Sequence, residues 1–360
     1  MGERTILIAG ATGIVGGAAI DHFAGRAGWR VLAVSRRPIS ERPGVEHLPL
    51  DLTDPAACRA ASARLAGVTD LLYAALYEKP NLVAGWRDSD QMDINLAMLR
   101  NLMDALEVAA SGLRHVTVLQ GTKAYGLHDV QVRVPAKERW PRAPHAVFYW
   151  PQEDLLRERQ PQSGWHFTVL RPQLILGHAV GSPMNVIAAI GAYAAIMREL
   201  GRPLCFPGGG RYVHAASDSR LIAQAAEFAA TRATASNETY NIVNGDMLVW
   251  QDLWPAIAHH FGMEVGEPRP LRLAQEMPQH AAVWSAIVKR HGLQEVALDH
   301  LLSSSWQFTD RTFGHGLDQP IDRIVSPIKL WQAGFTGCQD TEDAVIHWLS
   351  HMQQARLLPV

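Results

Sequence analysis

Two periods of hydrophobicity alternate along the first half of the chain. Thr5–Gly10 ("TILIAG"), Trp29–Arg36 ("WRVLAVSR"), Val45–Asp51, Thr69–Ala75, Arg114–Gly121 and His166–Pro172 are short runs dominated by apolar and β-branched residues, and they predict strands. Between them, Ile14–Gly25, Asp54–Gly67 and Asp93–Ala110 carry apolar residues at helical spacing. Asp54 ahead of Pro55 reads as a helix start. Strands alternating with helices require right-handed crossovers and so a parallel sheet covered on both faces. The expected fold class is therefore α/β, a Rossmann-type doubly wound sheet.

After Pro172 the pattern changes. Proline, glycine and tryptophan become denser and helices dominate, at Asn185–Leu200, Ser219–Thr231, Gln251–Phe261 and Pro278–Gly292, with one strand at Glu238–Gly245. The expected division is a nucleotide-binding domain over residues 1–175, with returning segments around 212–245. A smaller, mostly helical substrate-binding region would span 176–211 and 246–330, and a C-terminal helical segment, 331–360, would pack on the core. The "SSS" at Ser303–Ser305 reads as a turn.

Composition narrows the function. With 48% hydrophobic and 19% charged residues and a formal net charge of −2, the 360-residue chain offers no global attraction for nucleic acid or an anionic membrane. Three separated cysteines, Cys58, Cys205 and Cys338, suggest no disulfide framework. No signal-peptide pattern opens the chain, and Ile6 stands where a myristoylation signal after Gly2 needs Ser or Thr. The most apolar helical run, Val186–Met197, is about half the length that spans a bilayer. These features predict a cytoplasmic protein with no membrane or nucleic-acid partner, and they leave a homodimer open. Sixteen histidines form no metal-ligand spacing, so no metal is expected.

The candidate chemistry begins at "GATGIVG". Gly10, Gly13 and Gly16 follow a strand and open a helix, the context in which glycines permit a tight turn, close approach to a pyrophosphate and close helix–strand packing. The next strand ends in "SRRP". Where an NAD site would place a carboxylate for the ribose 2′-hydroxyl, Arg36 and Arg37 suit a 2′-phosphate, which favours NADPH/NADP+. Asp51 and Leu52 close the third strand, a common place to hold adenine. "HAVFYWPQEDLL" sets Tyr149 at a helix start, with Pro151 and an acidic first turn behind it. Four residues on, where a short-chain reductase keeps its lysine, stands Glu153. Lys123 in "LQGTKAYG" emerges from a strand end into the expected crevice. There it would favour the phenolate and lower the Tyr149 pKa.

These stretches, with "LRPQLILG", "SPMN" and "NIVNGDMLVWQDLWPAIAHHFG", resemble the family of progesterone 5β-reductase and iridoid synthase within the extended short-chain dehydrogenase/reductases. The resemblance implies catalysis by Tyr149 and Lys123. It also implies nucleotide contacts at Thr12, Gly13, Ile14, Arg36, Arg37, Asp51, Leu52, Ala75, Gln120, Tyr149, Ile175, Ser182 and Met184. The chain departs from the family motifs at Ala124, Gly126, Val147 and Trp150, so Ala124, Tyr125 and Trp150 are expected to line the substrate pocket. The implied reaction is NADPH-dependent 1,4-reduction of a small-molecule enone or enal, steroid-like, terpenoid or smaller, with Tyr149 stabilising the enolate oxygen. A carbonyl reductase on the same fold and a non-catalytic NADP(H)-sensing regulator remain the alternatives.

Overall fold

The computed structural model describes residues 3–80, 82–127, 132–315 and 321–360. Its strands are β1 (Arg4–Ala9), β2 (Trp29–Ser35), β3 (Val45–Pro49), β4 (Asp70–Tyr73), β5 (His115–Leu119), β6 (His166–Pro172), β7 (Leu174–Leu176), β8 (Leu204–Cys205), β9 (Ala216–Asp218), β10 (Glu238–Ile242) and β11 (Val265–Gly266). Seven of them form one sheet in the order β10-β6-β5-β4-β1-β2-β3, every neighbouring pair parallel. This is the doubly wound arrangement expected from the alternation of elements. Its topological switch point lies between β1 and β4, where ligands bind in such sheets.

Both faces of the sheet are covered, which is why its strands read as near-continuous apolar runs. One face packs on the helices Pro55–Ala60, Ser62–Leu65, Ser89–Ala109 and Tyr149–Arg159, through residues such as Leu71, Leu99, Leu102, Val116 and Leu156. The other packs on Ile14–Ala24 and Ser219–Thr231, through Ile8, Phe23, Leu170, Leu221 and Ile222.

Several boundaries differ from the sequence expectation for local reasons. The helix expected from Asp93 begins at Ser89, because the Asp88 carboxylate accepts from Asp90 N at 3.0 Å and caps it. The helix expected over Asp54–Gly67 is two short ones meeting at Ala61, the first capped by Asp54 through Ala56 N and Ala57 N. The stretch from Pro278 is a short turn followed by the helix Ala281–His291, ended by Gly292 at φ +58°.

A third core belongs to the C-terminal region. Every residue from Val186 to Met197 is buried in the helix Val186–Glu199, which lies among the helices Trp250–His260, Ala281–His291, Ser305–Thr312 and Thr341–Gln354. A helix apolar on all sides is accounted for by burial on all sides. Among the described residues no helix is long and apolar enough to cross a membrane. Two further parallel pairs, β7–β9 and β8–β11, were not foreseen; with three and two residues per strand they are too short to leave a periodic signal.

Candidate active site

A cavity of about 970 Å³ opens along the C-terminal ends of β1, β2, β4 and β5 and continues under residues 303–312 of the C-terminal region. Its first half is the glycine turn. Gly10 sits at φ +86°, and a Cβ there would come 2.7 Å from the Ala74 backbone. Gly13 N donates to Gly10 O at 2.9 Å. Gly16 does not line the cavity, against the expectation that it contacts the nucleotide. A Cβ on Gly16 would stand 2.1 Å from Gly10 O, so this glycine brings the helix against the turn. Thr12, Gly13 and Ile14 line the cavity as expected.

Arg36, Arg37, Asp51, Leu52, Ala75, Ile175, Ser182 and Met184 also line it. Arg37 donates to Val180 O at 3.3 Å and reaches Thr12 Oγ1 at 3.5 Å, spanning from β2 to the loop that carries Ser182 and Met184. The Asp51 carboxylate accepts from Thr53 N at 2.9 Å and Thr53 Oγ1 at 2.7 Å; the Thr53 N–H, then its hydroxyl and Arg36, hold it below the usual carboxylate range despite some burial. A glycine cradle with no room for a Cβ at Gly10 or Gly16, at the C-terminal ends of parallel strands, fits a nicotinamide dinucleotide.

The second half of the cavity holds Tyr149 and Lys123. Tyr149 is the first residue of the helix Tyr149–Arg159. Its Oη makes no hydrogen bond among the described residues, and a Cβ built on Gly121 would lie 2.9 Å from it. Lys123 Nζ stands 3.7 Å above the Trp86 ring and 4.0 Å from Glu78 Oε1. The expected lowering of the phenol pKa does not occur. Burial pushes Tyr149 well above its ordinary value, the negative charge of Glu78 adds to that, and Arg171 only partly opposes it. Lys123 is not among the groups that act on the phenol; its ammonium stands beside Glu78 and over the Trp86 ring.

Glu153, in place of the usual lysine, is a buried hub. Its Oε2 accepts from Gln120 Nε2 at 3.0 Å and from Arg171 at 3.4 Å, and its Oε1 accepts from Arg157 Nε at 2.9 Å. Burial alone would raise this carboxyl, but Gln120, Arg157 and Arg171 together bring it below the usual range. Arg171 Nε donates in turn to Gln120 Oε1 at 2.8 Å, and Gln120 Nε2 also reaches Tyr149 O at 3.3 Å. Gln120 therefore lines the cavity with its amide already committed, fixing the start of the tyrosine helix.

Tyr125 and Trp150 do not line the cavity, and neither does Ala124. Tyr125 is buried beside Leu127, Ala136 and Val325, its hydroxyl donating to Asn241 Oδ1 at 2.7 Å and accepting from Arg171 at 3.1 Å. Trp150 is one position along the helix from Tyr149, about 100° around the axis. That turns its ring to the guanidiniums of Arg142 at 4.9 Å and Arg171 at 5.6 Å.

Comparison with known proteins gives the lineage. Residues 55–359 match the family described as a PRISE-like Rossmann-fold domain. The chain belongs to that family. It is 31% identical to the (S)-8-oxocitronellyl enol synthase CYC2 of Camptotheca acuminata and 31% identical to the 3-oxo-Delta(4,5)-steroid 5-beta-reductase of Arabidopsis thaliana. Each match covers 99% of this chain and 94% of the relative. Among solved structures, the UDP-glucose 4-epimerase of Thermus thermophilus in complex with NAD has the same fold, with a TM-score of 0.66 at 18% identity over 98% of this chain and 100% of that one. The protein is thus an enzyme of the oxidoreductase class.

In this PRISE-like enzyme the second half of the cavity is walled by residues that no motif marked. Glu78 and Trp86 come from the segment after β4, and Ser303, Ser304, Phe308 and Arg311 from the C-terminal region. The tripeptide Ser303–Ser305 is more than a turn. Ser304 Oγ donates to Pro80 O at 3.1 Å and Ser305 Oγ to Ser182 O at 2.7 Å, closing the two halves over the cavity.

Proposed function

We propose that the enzyme reduces the C=C bond of enones and enals, using NADPH in preference to NADH. The observation that carries this reading is Tyr149 Oη. It is a buried neutral phenol, without a protein hydrogen-bond partner among the described residues, facing a cavity whose other half is built as a dinucleotide cradle. When bound, a nicotinamide nucleotide would supply the hydride for the β-carbon, and a proton from solvent would complete the reduction at the α-carbon. As negative charge develops on the carbonyl oxygen, Tyr149 donates its hydrogen bond there. The high pKa keeps the proton on the phenol, so Tyr149 acts as a donor over the whole neutral range. Lys123 adds positive charge on the same side while Glu78 holds it in place. The names of the relatives agree: one is a reductase of a 3-oxo-Delta(4,5)-steroid and the other makes an enol.

The test is NADPH oxidation by wild type and Tyr149→Phe with enones, enals, saturated aldehydes and no acceptor. Enone- or enal-dependent oxidation, reduced about a hundredfold or more in the variant, is expected. Oxidation with saturated aldehydes alone would instead indicate 1,2-reduction, and tight NADPH binding without oxidation would indicate a sensor.

A further inference from the structure

Glu78 lies against the reacting end of the cavity with one carboxyl oxygen spoken for and one not. Oε2 accepts from Gln91 Nε2 at 2.7 Å, while Oε1 accepts no hydrogen bond among the described residues, although the side chain is only 4% exposed. Gln91 is itself fixed, its Oε1 accepting from Lys79 N at 2.9 Å and leaving room for no side chain on Gly85, whose Cβ would approach to 2.6 Å. Across from Oε1, Lys123 Nζ rests on the Trp86 ring at 4.0 Å from the oxygen. That gap is too long for a direct hydrogen bond. An oxygen placed about 2.8 Å from each atom spans it.

We propose that the Glu78–Lys123 gap is an anchor for a hydroxyl group, so that the preferred substrates are enones or enals carrying a hydroxyl. This rests on reading the cavity as an enone-reducing site. A hydroxyl both donates and accepts, which is what a carboxylate facing an ammonium asks of the group between them. A substrate anion would be repelled by Glu78 and a substrate cation by Lys123. A purely apolar group would leave Oε1 buried and unpaired, which is costly. Burial, opposed by Lys123, raises the Glu78 carboxyl above its usual range. The anchor tolerates this, because a protonated carboxyl donates where a carboxylate accepts and a hydroxyl answers either. The Trp86 side chain flanks the hydroxyl, with Lys123 over its ring face and its indole N–H acting on Glu78.

The test compares 2-octenal with 4-hydroxy-2-octenal and 8-hydroxy-2-octenal, using NADPH and the full-length wild type, Glu78→Gln and Glu78→Leu. At least one hydroxylated enal is expected to exceed 2-octenal in kcat/KM by roughly 10- to 100-fold, the range for hydrogen bonds to charged groups. That ratio should approach one in Glu78→Leu and fall severalfold in Glu78→Gln. Equal handling of all three enals by wild type overturns the proposal. So does a ratio unchanged in the variants, which would mean that the gap holds only water. If Glu78→Leu does not fold, the Glu78→Gln ratio decides. Calorimetric binding of octanal, 4-hydroxyoctanal and 8-hydroxyoctanal needs no turnover. If no enal is reduced, the proposed function fails on its own, while equal affinity for these saturated aldehydes overturns the anchor.

Discussion

The Cα of Gly121 faces the hydroxyl of Tyr149 so closely that a Cβ there would lie 2.9 Å from Oη. Gly121 has φ −164°, extended backbone that any residue adopts, so its glycine is explained by the phenol and not by the chain's own conformation. Gly121→Ala is therefore expected to move the hydroxyl without breaking the fold. Displacement of a reacting group by even an ångström costs up to about a hundredfold in rate. Steady-state turnover with an enal should fall by roughly that factor, while the melting temperature and NADPH affinity stay close to wild type. Unchanged turnover would show that Oη is not at the reacting centre.

Restoring the lysine of ordinary short-chain enzymes should harm this one. Glu153 is the buried counter-charge of Arg171 and also pairs with Arg157 and Arg142. Glu153→Lys would gather four cations around one buried site. Glu153→Leu would leave Arg171 uncompensated, and removing one partner of such a pair costs about 3–5 kcal/mol. Denaturant unfolding should show a loss of that size for Glu153→Leu, and Glu153→Lys should not accumulate as folded protein. A stable Glu153→Lys variant with normal turnover would contradict the hub.

These two cases mark what was legible in the sequence. The parallel sheet, the glycine turn and the position of Tyr149 and Lys123 at the cavity were readable because each depends on local periodicity or on which strand end a residue follows. The direction of a side chain was not. Trp150 and Tyr125 sit beside cavity residues in sequence, yet a helix turns about 100° per residue and Trp150 faces Arg142 and Arg171 instead. Glu78, Trp86, Ser304 and Phe308 went unnoticed for a different reason. They are brought to the cavity by long-range packing, such as the bond from Ser304 to Pro80, which leaves no local period. The most useful available signal was a carboxylate, Glu78, shortly after a strand end in a sheet of this kind.

Acid should unfold the protein earlier than its near-neutral net charge suggests. Burial, with Arg4 nearby, pushes His115 down to about 3, and burial beside His351 pushes His178 down to about 4. In the unfolded chain both titrate near 6.5. Below that pH the unfolded state takes up protons that the folded state refuses, so stability is present above about 6.5 and lost as pH falls. The raised carboxyl of Glu78 works in the opposite sense and offsets part of the loss. His115→Leu removes one such group and should flatten the decline by about 1.4 kcal/mol per pH unit. Unfolding free energies at pH 6.5, 5.5 and 4.5 measure it, and parallel curves for the two proteins would refute the buried neutral imidazole.

The two arginines after β2 should separate in their effects, although both line the nucleotide half of the cavity. Arg37 is tied across the opening to Val180 O at 3.3 Å and approaches Thr12 Oγ1 at 3.5 Å. Removing it loosens the loop that carries Ser182 and Met184, so Arg37→Ala should raise KM for NADPH and NADH together. Arg36 makes no such link among the described residues. Its guanidinium acts on the cavity through charge, helping to lower Asp51. Arg36→Asp should therefore raise KM for NADPH by roughly 10- to 100-fold, the range for a lost hydrogen bond to a charged group. It should leave NADH unaffected or improved, because a carboxylate at this strand end suits a free 2′-hydroxyl. If Arg36→Asp weakens both cofactors equally, the arginine does not read a 2′-phosphate.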